Sequence, residues 1–274
     1  MRILFIGEIV TKTGVFCVKS LLSGLRSELN PDLVIANVDS ATGGFGIGRN
    51  HAVYLHKLGV DVLTGGDQIY FKKDMVNHIS GARYMLRPAN LPPNAPGRGR
   101  RTFDTVGGAK VVVISLLGQS GFDRVHGSNP YTYLPELTER AREETPFVVV
   151  DFHAVTTAEK ITMFHHIDGL VSAVIGTGTR VQTADAVVMP KGTAVITDAG
   201  RTGSLDSVGG LDPGPEIRKL LTQVPERSSD TWLNLELQGV VIDLNEKGMA
   251  TSIEAIRVPC KEKAGDGDGS DYQD

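Results

Sequence analysis

At 274 residues, 41% of them apolar and 22% charged, the chain has material for one large domain or two small ones. Its net charge of −4 gives no overall basic field to gather nucleic acid or an anionic membrane. No apolar run approaches the roughly 18–20 residues that span a bilayer, and apolar residues 3–6 give way at once to Gly7 and Glu8, so the start reads as a strand in a cytoplasmic protein and not as a secretory leader.

Apolar segments punctuated by glycine alternate with amphipathic ones along the chain. Residues 2–7, 33–38 and 60–64 read as strands, followed by helical patterns at 15–29, 51–58 and 72–79. After a Pro-rich stretch at 86–99 the series resumes with strand 110–117, helix 134–144, strand 147–152, helix 158–166 and strand 171–175. Residues 194–198 read as another strand and 215–224 as a helix, while 232–244 and 251–258 read as a hairpin turning at Glu246, Lys247 and Gly248. The strands are rich in Val and Ile and almost continuously apolar, as expected where helices cover both faces of a sheet. The reading is an α/β layered fold in a single domain over residues 1–260, because no segment resembles a linker. An acidic tail at 261–274, without an aliphatic residue beyond Ala264, is expected to be disordered. Within it Asp266, Asp268 and Ser270 imitate the start of a calcium loop, but Asp271 stands where glycine is needed. Cys17 and Cys260 lie far apart in the sequence and outside any paired motif, so both read as bystanders.

Common phosphate and nucleophile motifs fail on spacing. Gly43, Gly44, Gly46 and Gly48 do not form the G-x-G-x-x-G of a dinucleotide fold, and no Lys-Ser/Thr closes a Walker loop. Gly118-Gln119-Ser120-Gly121 is followed by Phe122 where a nucleophile elbow needs glycine. More informative is the placement of Glu8, Asp39, Asp67 and His153 at the carboxyl ends of successive predicted strands. Open α/β sheets place ligands there. Carboxylates with an imidazole suit hard or borderline cations, although each residue could equally cap a helix or solvate a loop.

Several ordered motifs then resemble the YmdB-like bacterial metallophosphoesterases. They are Gly7-Glu8-Ile9-Val10, Ile35-Ala36-Asn37 through Gly43-Gly44-Phe45-Gly46-Ile47, Leu86-Arg87-Pro88-Ala89-Asn90 with Pro96-Gly97-Arg98-Gly99, Val150-Asp151-Phe152-His153-Ala154, Val181-Gln182-Thr183-Ala184-Asp185, and Thr202-Gly203 with Asp206-Ser207-Val208. The resemblance runs from the first strand to about Val258. It implies a calcineurin-like αββα sandwich with mixed sheets flanked by helices, and a two-metal centre that hydrolyses phosphodiesters such as 2′,3′-cyclic nucleotides.

The same resemblance implies where the chain departs from that family's pattern. The family's Asp, Glu, Asn and Asn ligands stand here as Glu8, Asp39, Ser40 and Asp67. Its Gly-Asn-His motif is Gly66-Asp67-Gln68, so an amide that cannot be a general acid replaces the imidazole. Its Gly-Thr-His-Thr-His is Gly176-Thr177-Gly178-Thr179-Arg180, so both histidine ligands are gone while His153 is retained. Arg180 would set a permanent cation near Glu8 and Asp39 and could stand in for the first ion by bidentate pairing. Asp39, Asp67 and His153 could hold one Mn, Fe or Zn ion, or none.

Three readings follow. The first is a catalytically degenerate member, a ligand-binding or scaffold protein that keeps the crevice without two-metal chemistry. The second is a residual one-metal phosphodiesterase of the 2′,3′-cyclic nucleotide type. The third is a nucleotide or RNA sensor that takes phosphate on Arg180 and on a basic loop cluster of Arg98, Arg100 and Arg101. The expected partner is a nucleotide or phosphodiester; RNA and a homo-oligomer are compatible with the chain, a membrane is not. His165 and His166 are given no role.

Overall fold

A computed structural model describes residues 1–122 and 124–261; the calcium-loop imitation and nearly all of the tail lie outside them. The chain runs β1 (Arg2–Ile6), β2 (Glu8–Ile9), α1 (Thr11–Leu29), β3 (Leu33–Asn37), α2 (Arg49–Lys57), β4 (Val62–Thr64), α3 (Lys73–His78), β5 (Met85–Leu86), β6 (Arg100–Asp104) and β7 (Lys110–Leu117). It continues through α4 (Pro130–Glu144), β8 (Val148–His153), α5 (Thr157–Ile167), β9 (Ala173–Thr177), β10 (Val187–Val188), β11 (Ala194–Ile196) and β12 (Arg201–Ser204). It closes with α6 (Pro213–Thr222) and the hairpin β13 (Leu235–Leu244) and β14 (Ala250–Pro259).

The strands form two mixed sheets. The eight-stranded sheet has the order β2-β12-β13-β1-β3-β4-β5, with β14 paired to β13, and the six-stranded sheet has the order β10-β11-β9-β8-β7-β6. Strands β1, β3, β4 and β5 run parallel, as do β7, β8, β9 and β11. The expected hairpin forms, and β13 lies antiparallel to β1.

Strand alternation explains the layers. In β1, Ile3 and Phe5 join Leu33, Ile35, Val111, Val113, Val149 and Ile175 in a core between the sheets. Their neighbours Leu4 and Ile6 pack with Val18, Leu22, Leu55 and Met75 of α1, α2 and α3. On the second sheet Val112, Ile114, Val150 and Phe152 pack with Leu134 and Ala141 of α4 and Met163 and Phe164 of α5. The result is the αββα sandwich. It corrects the expectation of helices on both faces of one sheet: each sheet is covered by helices on one face and by its partner on the other. Either arrangement buries both faces and gives the same continuous apolar strand.

One further correction concerns the basic residues, and one contact was not foreseen. Arg100 and Arg101 do not belong to an irregular loop: they are successive residues of β6, whose side chains leave opposite faces. Arg100 donates to Glu144 on α4 at 2.6 Å and is thereby drawn away from Arg98 and Arg101, which remain near enough that, beyond burial, the charge of Arg98 helps lower the Arg101 pKa. The two cysteines, distant in sequence, pack together with Leu235 as buried free thiols. Their hydrogen bond and burial push the Cys17 thiol far above its usual range.

Candidate functional site

The site lies where the parallel strands end. Gly7 and Glu8 follow β1, Asp39 and Ser40 follow β3, Asp67 follows β4, His153 closes β8, and Gly178 and Arg180 follow β9. All the strand-end residues singled out above are thus brought to one crevice. The close approach of these loops depends on glycine at Gly66, where a Cβ would fall 2.3–2.6 Å from the His153 ring.

One half of the crevice is organised by Arg180. Its Nε donates to Glu8 Oε1 at 2.9 Å and its Nη2 to Ser40 Oγ at 2.5 Å, while Ser40 Oγ donates to the same Glu8 oxygen at 2.5 Å. Glu8 and Ser40 are fully buried. The charge of Glu8 raises the Arg180 pKa above its ordinary value, so the guanidinium stays charged. Arg180 does not form the expected bidentate pair with carboxylate, nor a hydrogen bond to Asp39. Asp39 turns instead to the backbone, accepting from Gly66 N at 2.5 Å and Gln68 N at 3.0 Å. A fixed cation, donating toward Glu8 and Ser40, occupies this half, so the donor set does not fit a second, free ion there. Glu8 Oε2 remains buried without a partner among the described residues.

The other half is organised by His153. Its Nε2 lies 3.3 Å from Asp67 Oδ1 and 3.7 Å from Asp39 Oδ2. Ligand atoms of Asp39, Asp67 and His153 all lie within 4.8 Å of one another, which fits a single divalent cation. The ring is oriented from behind. Thr177 Oγ1 donates to Asp151 Oδ1 at 2.7 Å and therefore accepts from His153 Nδ1 at 3.0 Å. A neutral His153 thus carries its proton on Nδ1 and presents the Nε2 lone pair to the two carboxylates, the orientation that outer hydrogen bonds impose on metal-binding histidines. Asp151 also accepts from Thr64 Oγ1 at 2.5 Å and Asn37 Nδ2 at 2.8 Å. Phe122 stacks over the ring, centroids 5.9 Å apart.

The charge state follows from these neighbours. Burial alone would lower the His153 pKa, but the hydrogen bond with Asp67 and the charges of Asp39, Glu8 and Asp67 outweigh it and raise it to about 9. Burial pushes Asp39 up, to about 7, against the opposing charge of His153. Burial also raises Asp67, but the hydrogen bond and charge of His153 leave it below its ordinary value. Near neutral pH the second half is therefore held by a proton on Nε2. A divalent ion would have to displace that proton.

Of the residues singled out from the sequence, the structure brings Glu8, Ser40, Asp39, Asp67, His153 and Arg180 together. The sequence reading missed Asn37, Thr64, Asp151 and Thr177, the buried network behind His153. Asp151 was detectable in principle: it stands two residues before His153 on one strand and so shares its face. Gln68 does reach the site, donating its backbone N–H to Asp39, but its side-chain oxygen is buried without a partner among the described residues. Gly178 packs on the His153 ring with φ +105°, where a Cβ would lie 3.0 Å from Ala154 O.

Comparison with known proteins accords with this geometry. The family described as YmdB-like protein matches residues 4–256. A 2′,3′-cyclic-nucleotide 2′-phosphodiesterase of Bacillus subtilis is 36% identical over 259 residues, spanning 94% of this chain and 97% of the relative. A phosphatase of Mycoplasma pneumoniae, known from its crystal structure, is 31% identical with a TM-score of 0.88, over 94% of this chain and 93% of its own. A 5′-nucleotidase precursor of Thermus thermophilus shares the fold alone, at 13% identity and a TM-score of 0.56, over 94% of this chain and 54% of its own.

Proposed function

The chain belongs to the YmdB-like family, and from that premise we propose that it is a cytoplasmic phosphoester-binding protein in which Arg180 has taken the place of one ion of a two-metal phosphodiesterase. The observation that carries this reading is the Arg180 guanidinium seated on buried Glu8 and Ser40. Two ions about 3.5–4 Å apart clamp both the attacking and the leaving oxygen, so a centre with one position filled by a side chain has lost half of that clamp. Gln68 cannot supply the leaving-group proton, and the loss of such a group alone costs on the order of 10²- to 10⁴-fold in rate. Binding makes smaller demands. Arg180 uses Nε and one Nη2 hydrogen within the site, which leaves donors for a phosphate oxygen, and its side chain is 22% exposed toward the crevice. The ligand class is a nucleotide or phosphodiester, by analogy with the Bacillus relative.

A second reading, a slow one-metal phosphodiesterase, is favoured by the Asp39, Asp67 and His153 donors. A divalent ion held there would supply Lewis acidity toward a phosphoryl oxygen and lower the pKa of a bound water. In that case Asp151 and Thr177 hold the imidazole, and Arg180 stabilises charge on the phosphoryl group.

The deciding experiment measures metal content, calorimetric binding of inorganic phosphate, and hydrolysis of a 2′,3′-cyclic nucleotide with added Mn²⁺. The wild type is compared with Arg180→Ala and His153→Ala. Phosphate binding lost in Arg180→Ala, without turnover in any sample, supports the binding protein. Metal-dependent turnover that disappears in His153→Ala overturns it in favour of the one-metal enzyme.

A further inference from the structure

A lysine ammonium with no exposure at all requires a counter-charge in reach. Lys160 of α5 is fully buried, and its Nζ lies 3.0 Å from Asp198 Oδ2, also fully buried. Asp198 is not a simple partner. The same oxygen accepts from Thr179 N at 3.0 Å and Thr179 Oγ1 at 2.6 Å, and Oδ1 accepts from Gly200 N at 2.8 Å. Each of those contacts leads to the Arg180 half of the crevice. Thr179 directly precedes Arg180, and Gly200 O accepts from Glu8 N at 2.9 Å.

The need for a clamp lies in the backbone. Arg180 has φ +60°, a left-handed conformation that residues with a Cβ adopt only when their surroundings impose it. Asp198 fixes the residue before it. On the far side Gln182 Nε2 donates to Gly239 O at 2.9 Å and Ile256 O at 3.1 Å, and Thr183 N donates to Asp198 O at 3.1 Å. Arg180 is held between two anchors, and Asp198 contributes to both.

We propose that Asp198, neutralised by Lys160, is a positioning residue that holds Arg180 in its left-handed turn and on the Glu8–Ser40 pair. The inference rests on the reading of Arg180 as the fixed cation of the site.

The test follows Arg180 itself and needs no ligand. The Arg180 Nε–H proton, bonded to buried Glu8, should give a slowly exchanging signal in a ¹H–¹⁵N spectrum, assigned by its disappearance in Arg180→Lys. Asp198→Asn and the milder Thr179→Val, which removes one hydroxyl without changing shape, are compared with a control, Asp168→Asn. Asp168 is another buried carboxylate that accepts backbone amides, from Lys191 at 3.1 Å and Thr193 at 3.4 Å, at the opposite end of the same sheet. Loss of the signal, or exchange accelerated at least about tenfold, in Asp198→Asn and Thr179→Val but not in Asp168→Asn is expected. An unchanged signal in Thr179→Val and Asp198→Asn, or equal loss in the control, overturns the assignment. Inorganic phosphate titrated into the same samples reports separately on the reading beneath it. A wild type that holds the Nε–H signal but binds no phosphate overturns the binding function and leaves the positioning role standing.

Discussion

The two halves of the crevice sit at the ends of neighbouring strands and solve the same electrostatic problem differently. Around Glu8 the compensating charge is covalent: the Arg180 guanidinium stays protonated at every accessible pH and cannot exchange. Around Asp39 and Asp67 it is a proton on His153, which can leave or be displaced. The arginine half resembles a structural ion pair, sealed from behind by Asp198 and Lys160. The histidine half keeps the features of a ligand sphere, a ring oriented by Thr177 and Asp151 with Nε2 left facing two carboxylates. On the proposed reading a side chain fills one cation position while its neighbour stays open, because the hydrogen-bond networks behind them are separate.

Removing the fixed cation should break the comparison most severely. Arg180→Ala leaves Glu8 buried and uncompensated, for which the usual loss is about 3–5 kcal/mol. Chemical denaturation should record that loss. The two halves would then become alike, each with carboxylates awaiting a cation, so Mn²⁺ should raise the melting temperature of Arg180→Ala more than that of the wild type. Equal Mn²⁺ shifts in both proteins would show that the guanidinium does not occupy a former cation position.

The exchangeable half should announce itself through pH. His153 has a folded pKa of about 9 against an ordinary value of 6.5. A raised base contributes stability that is fully present below 6.5 and lost as pH rises through 9, no more than about 3 kcal/mol in all. Asp39, also raised, binds its proton more tightly folded than unfolded, so it too loses stability with rising pH, over a lower range. Denaturant titrations between pH 6 and 9.5 should show this decline in the wild type and a flatter profile in His153→Gln. Over the same range Mn²⁺ affinity should tighten, by at most about tenfold per pH unit, as the ion ceases to compete with the Nε2 proton. Affinity independent of pH would place the ion away from His153.

How much of this was legible depends on how local each signal is. The parallel strands β1, β3, β4, β7, β8, β9 and β11 announced themselves because both of their faces are buried, and their carboxyl ends marked the crevice, whereas the two-residue β5 is too short to stand out beside the Pro-rich stretch. Strands β6 and β12 were missed for the converse reason: Arg-Arg-Thr-Phe-Asp and Arg-Thr-Gly-Ser carry little apolar signal and are strands because of the neighbours they pair with. At the site, the approach of Arg180 to Glu8 was readable from the substituted positions. Its second contact was not, because Ser40 rather than Asp39 meets the guanidinium only once the Gly66 and Gln68 amides have drawn Asp39 away. The Asn37–Asp151–Thr177 network joins two sheets, and the Cys17–Cys260 contact joins α1 to the end of β14. No local pattern encodes either.

The smallest expected effect isolates what burial contributes to the arginine half. Arg100 donates to Glu144 at 2.6 Å, shorter than the 2.9 Å between Arg180 and Glu8, and Thr102 donates to the same Glu144 carboxylate. By contact length alone the Arg100 pair should matter more. Glu144, however, has a side chain 42% exposed, whereas that of Glu8 is 0% exposed, so water screens the first pair and can solvate Glu144 once its partner is gone. Arg100→Ala should therefore cost no more than about 0.5 kcal/mol, an effect reduced further in 0.5 M salt. Parallel denaturation of Arg100→Ala and Arg180→Ala measures the difference directly. Comparable losses would mean that the crevice is as hydrated as the surface, and that Arg180 is held there by contact geometry with no buried charge to neutralise.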